Sequence, residues 1–246
     1  MDIDVNNQAA PQRWVEFQAT NRFRRAIRDF DSKTIPEEDV RALLGEAVFA
    51  PSSGNLQPYQ FHWIRSAQAR SDVAAACDGQ KAASSATDLI VVVASPDIAR
   101  RTAHAQLSHV ERSATLELKS KAYHRKQAGK FLKILGIGGL PVWSPILAVA
   151  ALIRPALSLL PVGHIGSRHW TARNAAFAAH TLMLAAAARG IDSCPMEGFS
   201  ASNVAKALNL PRGTVIPLII ALGYRADHAR IEERWRRPMD EVVVTH

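Results

Sequence analysis

Cysteine is almost missing from this chain. Two residues, Cys77 and Cys194, occur among 246, far apart and in no metal-ligand spacing. That excludes a disulfide scaffold and a cysteine-pair zinc site, and it reads as reduced thiols in a cytoplasmic protein. Also missing is a polybasic run interleaved with aromatics, so nucleic acid is not an expected partner. The start, MDIDVNNQAAPQRW, carries acids and no apolar core after them, so no secretory signal is expected. His104, His109, His124 and His180 have no ligand spacing, no Ser-His-Asp set stands out, and no metal is expected. His180, on an Ala-rich helix, reads as a packed or capped histidine. Internal repeats and low-complexity tracts are absent.

What is present is a globular composition. Hydrophobic residues make up 48% and charged residues 21%, enough for one sizeable core. Lys and Arg exceed Asp and Glu by 30 to 22, a net charge of +8. Such a balance suits phosphate-bearing cofactors or an anionic surface. Strand and helix signals interleave, which gives a mixed α and β class. Trp14, Phe17 and Phe23 have helical spacing. IPEEDVRALLGEAVFA is a clearer helix, with Pro36 at its first turn, acids at its positive end and a Val40, Leu43, Leu44, Ala47 stripe. YQFHWIR alternates as a strand. Ala67 to Ala86 reads as helix, and DLIVVVAS as a doubly buried strand. Residues 98–130 are polar, basic and helical. A long Ala-rich helix follows, capped by Ser167 and ended by Gly190. SASNVAKALNLP reads as a short capped helix. VIPLIIALGY and the terminal EVVVT read as further strands.

One stretch is out of keeping with the rest. Ile134 to Ile153 contains no charged residue. A membrane span is one reading, weakened by three glycines and two prolines and by its place between two halves of one core. A buried core segment is the second. The third is an apolar flap that lines a pocket, packs on a partner subunit or makes a peripheral contact with a membrane. The basic helix before it, with Lys119, Lys121, Arg125, Lys126, Lys130 and Lys133, suits an anionic surface or an ordinary solvated face.

Four short stretches carry candidate chemistry. APSSGNLQPYQF places Pro51, Ser52, Ser53, Gly54 and Asn55 in one turn before a strand. Small residues let a backbone approach a ligand, and Ser and Asn donate without bulk. RRAIRDF sets Arg24 and Arg28 on one face of an extended segment. ERWRRPMDEVV adds Arg234, Arg236 and Arg237. Arginine forks from both ends of the chain can converge on one phosphate. GIDSCPMEGF ends a helix and turns through Pro195, Met196, Glu197 and Gly198, a turn that presents backbone N–H groups.

In this order the four stretches resemble the FMN-dependent nitroreductase family, over about Arg24 to Phe61 and Arg173 to Val243. The resemblance implies an α+β nitroreductase-like fold. A central mixed or antiparallel sheet is flanked by helices, in an intertwined homodimer. It implies one domain, residues 1–246, with a variable apolar and helical insert at about 98–168. It implies FMN as cofactor and NADPH or NADH as donor. The implied chemistry is ping-pong hydride or electron transfer through flavin N5 to a small-molecule nitroaromatic, quinone or similar lipophilic acceptor. Oxidase, dehydrogenase or dehalogenase chemistry on the same fold, and a non-catalytic membrane-surface binder, stand as alternatives. By the same resemblance Arg24, Arg25, Ala26, Arg28, Arg234 and Arg236 hold the phosphate and ribityl chain. Pro51, Ser52, Ser53 and Asn55 come from the other subunit. Pro195, Met196, Glu197 and Gly198 lie over the ring, with a Glu197 or Gly198 backbone N–H near N5, and Gln80 meets the pyrimidine edge. Ala26 stands where the family has Ser, and Tyr59 where it has Trp. The first change removes a hydrogen bond worth about 0.5–1.5 kcal/mol net.

Overall fold

The computed structural model describes residues 10–137, 140–156 and 160–246. In chain order its elements begin with α1 (Ala10–Phe23), α2 (Glu37–Ala47), β1 (Tyr59–Trp63), α3 (Ala67–Ala75), α4 (Lys81–Ser85) and β2 (Asp88–Ala94). They continue with α5 (Pro96–Arg112), α6 (Leu118–Leu135), α7 (Trp143–Ile153) and α8 (Gly163–Ala188). Last come β3 (Asp192–Met196), α9 (Ala201–Ala207), β4 (Val215–Gly223) and α10 (Met239–Val242). The four strands pair antiparallel in the order β1-β2-β4-β3.

The uninterrupted apolar run of β2 follows from burial on both faces. Side chains alternate across a strand. Leu89, Val91 and Val93 therefore face one cluster, with Val73 of α3, Ala82 of α4 and Val204 of α9. Ile90, Val92 and Ala94 face the other, with Leu43 of α2 and Ala178 and Leu182 of α8. A helical layer on each side leaves the central strands no polar face to show.

Cys77 closes the first cluster, fully buried, with its thiol donating to the Val73 carbonyl at 3.2 Å. Burial pushes this thiol up to about 11, with the charge of Asp78 adding to the effect. A folded pKa above the unfolded one adds stability that is complete below pH ~9 and is lost as pH rises through ~11. Cys77→Ala should flatten the fall in unfolding free energy across that window, by up to about 2 kcal/mol. Denaturant titrations at pH 8 to 11 check this; equal slopes in both proteins would refute it.

Several sequence expectations shift here. The helix expected over 67–86 is two helices, broken where Asp78 and Gly79 turn left-handed at φ 51 and 71. The long helix starts four residues before Ser167, at Gly163. Ser167 sits inside it, and Ser144 Oγ accepts the His164 N–H at 2.9 Å instead. Gly190, at φ 71, ends the helix as expected. His180 is exposed rather than packed. The terminal EVVVT is not a strand. Met239–Val242 forms one helical turn, and Val242, Val243 and Val244 stay exposed because, among the described residues, no strand lies beside them. Conversely, Asp192–Met196 is an edge strand, which takes in Pro195 and Met196 of the expected Pro195–Gly198 turn. The edge position tolerates Pro195, which has no N–H to give.

Of the described residues of the apolar stretch Ile134 to Ile153, Leu135 alone is buried. No residue of α7 is buried. Among the described residues no helix is long and apolar enough to cross a membrane.

Candidate functional site

The arginines gather because the chain entering the fold runs beside β3. Ala26 bridges Ser193 in parallel, and the Ile27 N–H donates to the Ser193 carbonyl at 3.1 Å. Farther on, the Asp31 N–H reaches the Tyr224 carbonyl at 2.8 Å. These backbone bonds hold Arg24, Arg25 and Arg28 at the β3 edge. The tail returns to the same place. Arg25 donates to the Glu232 carbonyl, and Arg234 Nη2 donates to the Arg22 and Arg24 carbonyls at 2.6 and 3.2 Å. Both ends of the chain are thus stapled by guanidinium groups.

The convergence has electrostatic consequences. Desolvation lowers the pKa of Arg234, and the charges of Arg25, Arg236, Arg24 and Arg22 lower it further. None of these five, nor Arg28, forms an ion pair among the described residues. Burial raises the Cys194 thiol, while Arg28 and then Arg24 pull it back. The cations therefore sit against β3. Clustered forks without carboxylate partners suit an oxyanion of the phosphate class.

The turn after β3 lies at the same edge. Met196 is buried as a whole residue, backbone included, at 1% exposure. Glu197 and Gly198 are exposed, and Pro195 is half-buried. Gln80 Nε2 donates to the Gly198 carbonyl. A Cβ on Gly198 would lie 3.3 Å from that nitrogen, a tight approach that favours glycine. Gln80 and the Pro-Met-Glu-Gly turn therefore belong together.

The Pro51–Asn55 turn does not join them. It precedes β1, at the far edge of the sheet from β3. Three strand spacings separate the edges, about 14 Å. Much of its polarity serves itself. Ser52 Oγ accepts the Gln57 N–H at 3.0 Å, and Asn55 Oδ1 accepts Gln57 Nε2 at 3.0 Å. Asn174 of α8, buried, accepts the Ser53 N–H at 2.7 Å and anchors its own amide on the Trp170 carbonyl at 2.8 Å. The Ser53 hydroxyl and the Asn55 amide nitrogen take no part in these bonds. Gly54, at φ 63, has a second reason to be small. A Cβ there would fall 2.6 Å from Phe131 Cε2 of α6, whose ring stacks on Trp170.

Sequence reasoning missed Asn174, Phe131 and the Glu232 carbonyl. A lone Asn among the alanines of α8 is the one signal that could have flagged the first. A concavity of about 650 Å³ runs along the β1 edge past Gln57, Tyr59, His62 and Arg101, and none of the clustered arginines lines it.

Comparison with known proteins gives the family and the fold. Residues 22–224 match the Nitroreductase family. A Thermus thermophilus protein named NADH dehydrogenase is 26% identical over 221 residues, covering 90% of this chain and 91% of its own. The solved structure of ydfN from Bacillus subtilis superposes with a TM-score of 0.76 at 23% identity, covering 95% of this chain and all of that one. A structure from Exiguobacterium sibiricum, solved in complex with FMN, gives a TM-score of 0.69 at 20% identity over 94% and 97% of the chains. These two likenesses show the fold.

Proposed function

The chain belongs to the nitroreductase family, and from that premise we propose that it is an FMN-dependent oxidoreductase. It takes hydride from NADPH or NADH and passes reducing equivalents to a nitroaromatic, quinone or similar lipophilic acceptor. The observation that carries this reading is the cluster of Arg22, Arg24, Arg25, Arg234 and Arg236, drawn from both ends of the chain and lacking carboxylate partners. FMN, when bound, supplies a site that accepts and returns hydride.

The chain's own residues bind and orient. Arg24, Arg25, Arg28, Arg234 and Arg236 hold the phosphate end, with the backbone of Ala26 fixed on β3. Phosphate oxygens accept from the forks in charge-assisted bonds. Glu197 and Gly198 offer backbone N–H groups at the turn beyond β3, and Gln80 keeps that turn in place. Ser52 shapes the Pro51–Asn55 turn, while the Ser53 hydroxyl and Asn55 amide remain to donate.

A second copy completes the site. The arginines and the Ser-Asn turn occupy opposite sheet edges, and a homodimer that sets one subunit's turn against the other's arginines lets one flavin meet both. Other surfaces ask for a partner as well. No residue of α1 is buried, and its Trp14, Val15 and Phe17 face outward. Cytoplasmic residence belongs to the same reading, supported by two buried free thiols.

An absorption spectrum of the purified protein tests the proposal, followed by anaerobic NADPH and then NADH. The expected result is a flavin spectrum that bleaches with one donor or both. A protein that stays colourless after addition of FMN would overturn it.

A further inference from the structure

Helix α7 divides its residues between two faces. Ser144, Leu147, Ala148 and Ala151 line a small apolar cavity of about 160 Å³ against Val162, Ile165 and His169 at the start of α8. The Ser144 cap on His164 pins the two helices there. Gly163 permits the close approach, since a Cβ on it would meet Ser144 Oγ at 3.0 Å. The opposite face carries Val142, Ile146, Val149 and Ile153. Steps of four, three and four put them in one stripe. Their exposures are 59, 53, 66 and 84%. A single exposed apolar side chain is ordinary; a continuous helical stripe of them marks a contact surface.

Along the sequence from α6 to the end of α8 the charges are of one sign, and the carboxylates of α5, Glu111 and Asp97, are paired with Arg125 and Arg100. Between Glu117 and Asp192 the sequence has no Asp or Glu, yet it carries ten Lys and Arg. On α6, Lys119, Lys126, Lys130 and Lys133 fall within one face by helical spacing, and all four are exposed. Lys133 lines a concavity with Ile134, Ile137, Trp143 and Val162, so the lysine stripe ends where the apolar helix begins. Trp143 satisfies its indole N–H on the Ile137 carbonyl at 2.9 Å and leaves part of its ring exposed. An aromatic of this kind suits the boundary between headgroups and acyl chains.

We propose that α7, with the lysine face of α6 beside it, docks the protein on an anionic lipid surface. The eleven residues of α7 make a rod of about 16 Å, too short to span a bilayer and suited to lie in its interface. The valine and isoleucine stripe enters the acyl boundary, and the lysines meet acidic headgroups. Apolar burial and charge attraction each supply part of the binding, so both are needed for firm attachment.

Vesicle co-sedimentation tests this with the full chain, and needs neither flavin nor turnover. The protein is mixed with phosphatidylcholine vesicles, pure or with about 30% phosphatidylserine. Wild type is expected to pellet with the anionic vesicles, to stay free of the neutral ones, and to be released at about 0.5 M NaCl. Val149→Asp with Ile153→Asp, and separately Lys126→Glu with Lys130→Glu and Lys133→Glu, should each weaken pelleting at least tenfold. The lysine variant changes exposed residues alone and decides the matter should the apolar variant fail to fold. Wild type that ignores anionic vesicles overturns the proposal, as does a lysine variant that binds like wild type. An apolar variant that instead lowers the oligomeric mass by light scattering overturns it too, and assigns the stripe to a second copy of the chain.

Discussion

Arg25→Ala combined with Arg234→Ala is expected to yield a protein that purifies without flavin and binds added FMN at least ~100-fold more weakly. Hydrogen bonds to charged groups contribute about 1.5–3 kcal/mol each. Loss of two therefore removes about 3 kcal/mol or more, and each 1.4 kcal/mol is tenfold in affinity. Both side chains are half-buried, which reduces the screening that weakens exposed pairs. They also staple the tail to the entering segment through Glu232, Arg22 and Arg24. A melting curve without flavin separates that structural share from binding. Lysine at both positions keeps the charge but loses the fork, so its affinity should fall between the two. Fluorescence titration with FMN reads all three proteins. A double alanine variant with unaltered FMN affinity would place the phosphate elsewhere.

The second large effect lies behind the site. Asp192→Ala should lower the unfolding free energy by about 3–5 kcal/mol, the range for breaking a buried ion pair on one side. Asp192 is 4% exposed at the start of β3. Its Oδ2 accepts the Arg225 backbone N–H at 3.0 Å and Nε at 2.9 Å, and Oδ1 accepts Nη2 at 2.6 Å. Arg225 in turn lies over the Phe23 ring at 5.0 Å. One carboxylate thus ties the end of β4, the start of β3 and the end of α1. Asp192→Asn keeps an acceptor and the volume, and should cost less than Asp192→Ala. Urea denaturation measures both. A loss under about 1 kcal/mol for the alanine variant would mean that Arg225 finds water as readily as a carboxylate.

The central strands were legible in the sequence because their signal is local. A run such as DLIVVVA admits few placements outside a doubly covered sheet. The turn at Pro51 was legible for a related reason: a φ above zero at Gly54 and Asn55 restricts residue type. The misses have a common cause in partners distant along the chain. EVVVT has strand propensity, but propensity without a neighbour makes no ladder. DSCPM has little, yet it pairs with β4 because Cys194 and Met196 fill the core beneath it. Phe131 over Gly54 joins residues far apart in sequence, and nothing near either position announces the other. The candidate arginines were legible as residue types. That Glu232, Arg22 and Arg24 carbonyls would lock them together was not, because a backbone acceptor leaves no mark on composition.

The buried thiols also settle how this protein can be labelled. Maleimide reagents capture the thiolate, and a thiol near pKa 11 is ionised about once in ten thousand molecules at pH 7. Cys194 is buried and shifted the same way. An introduced cysteine at exposed Val149 therefore reacts alone, with both native cysteines left in place. A polarity-sensitive dye on that one position reports, in intact protein, whether the α7 stripe meets water or hydrocarbon.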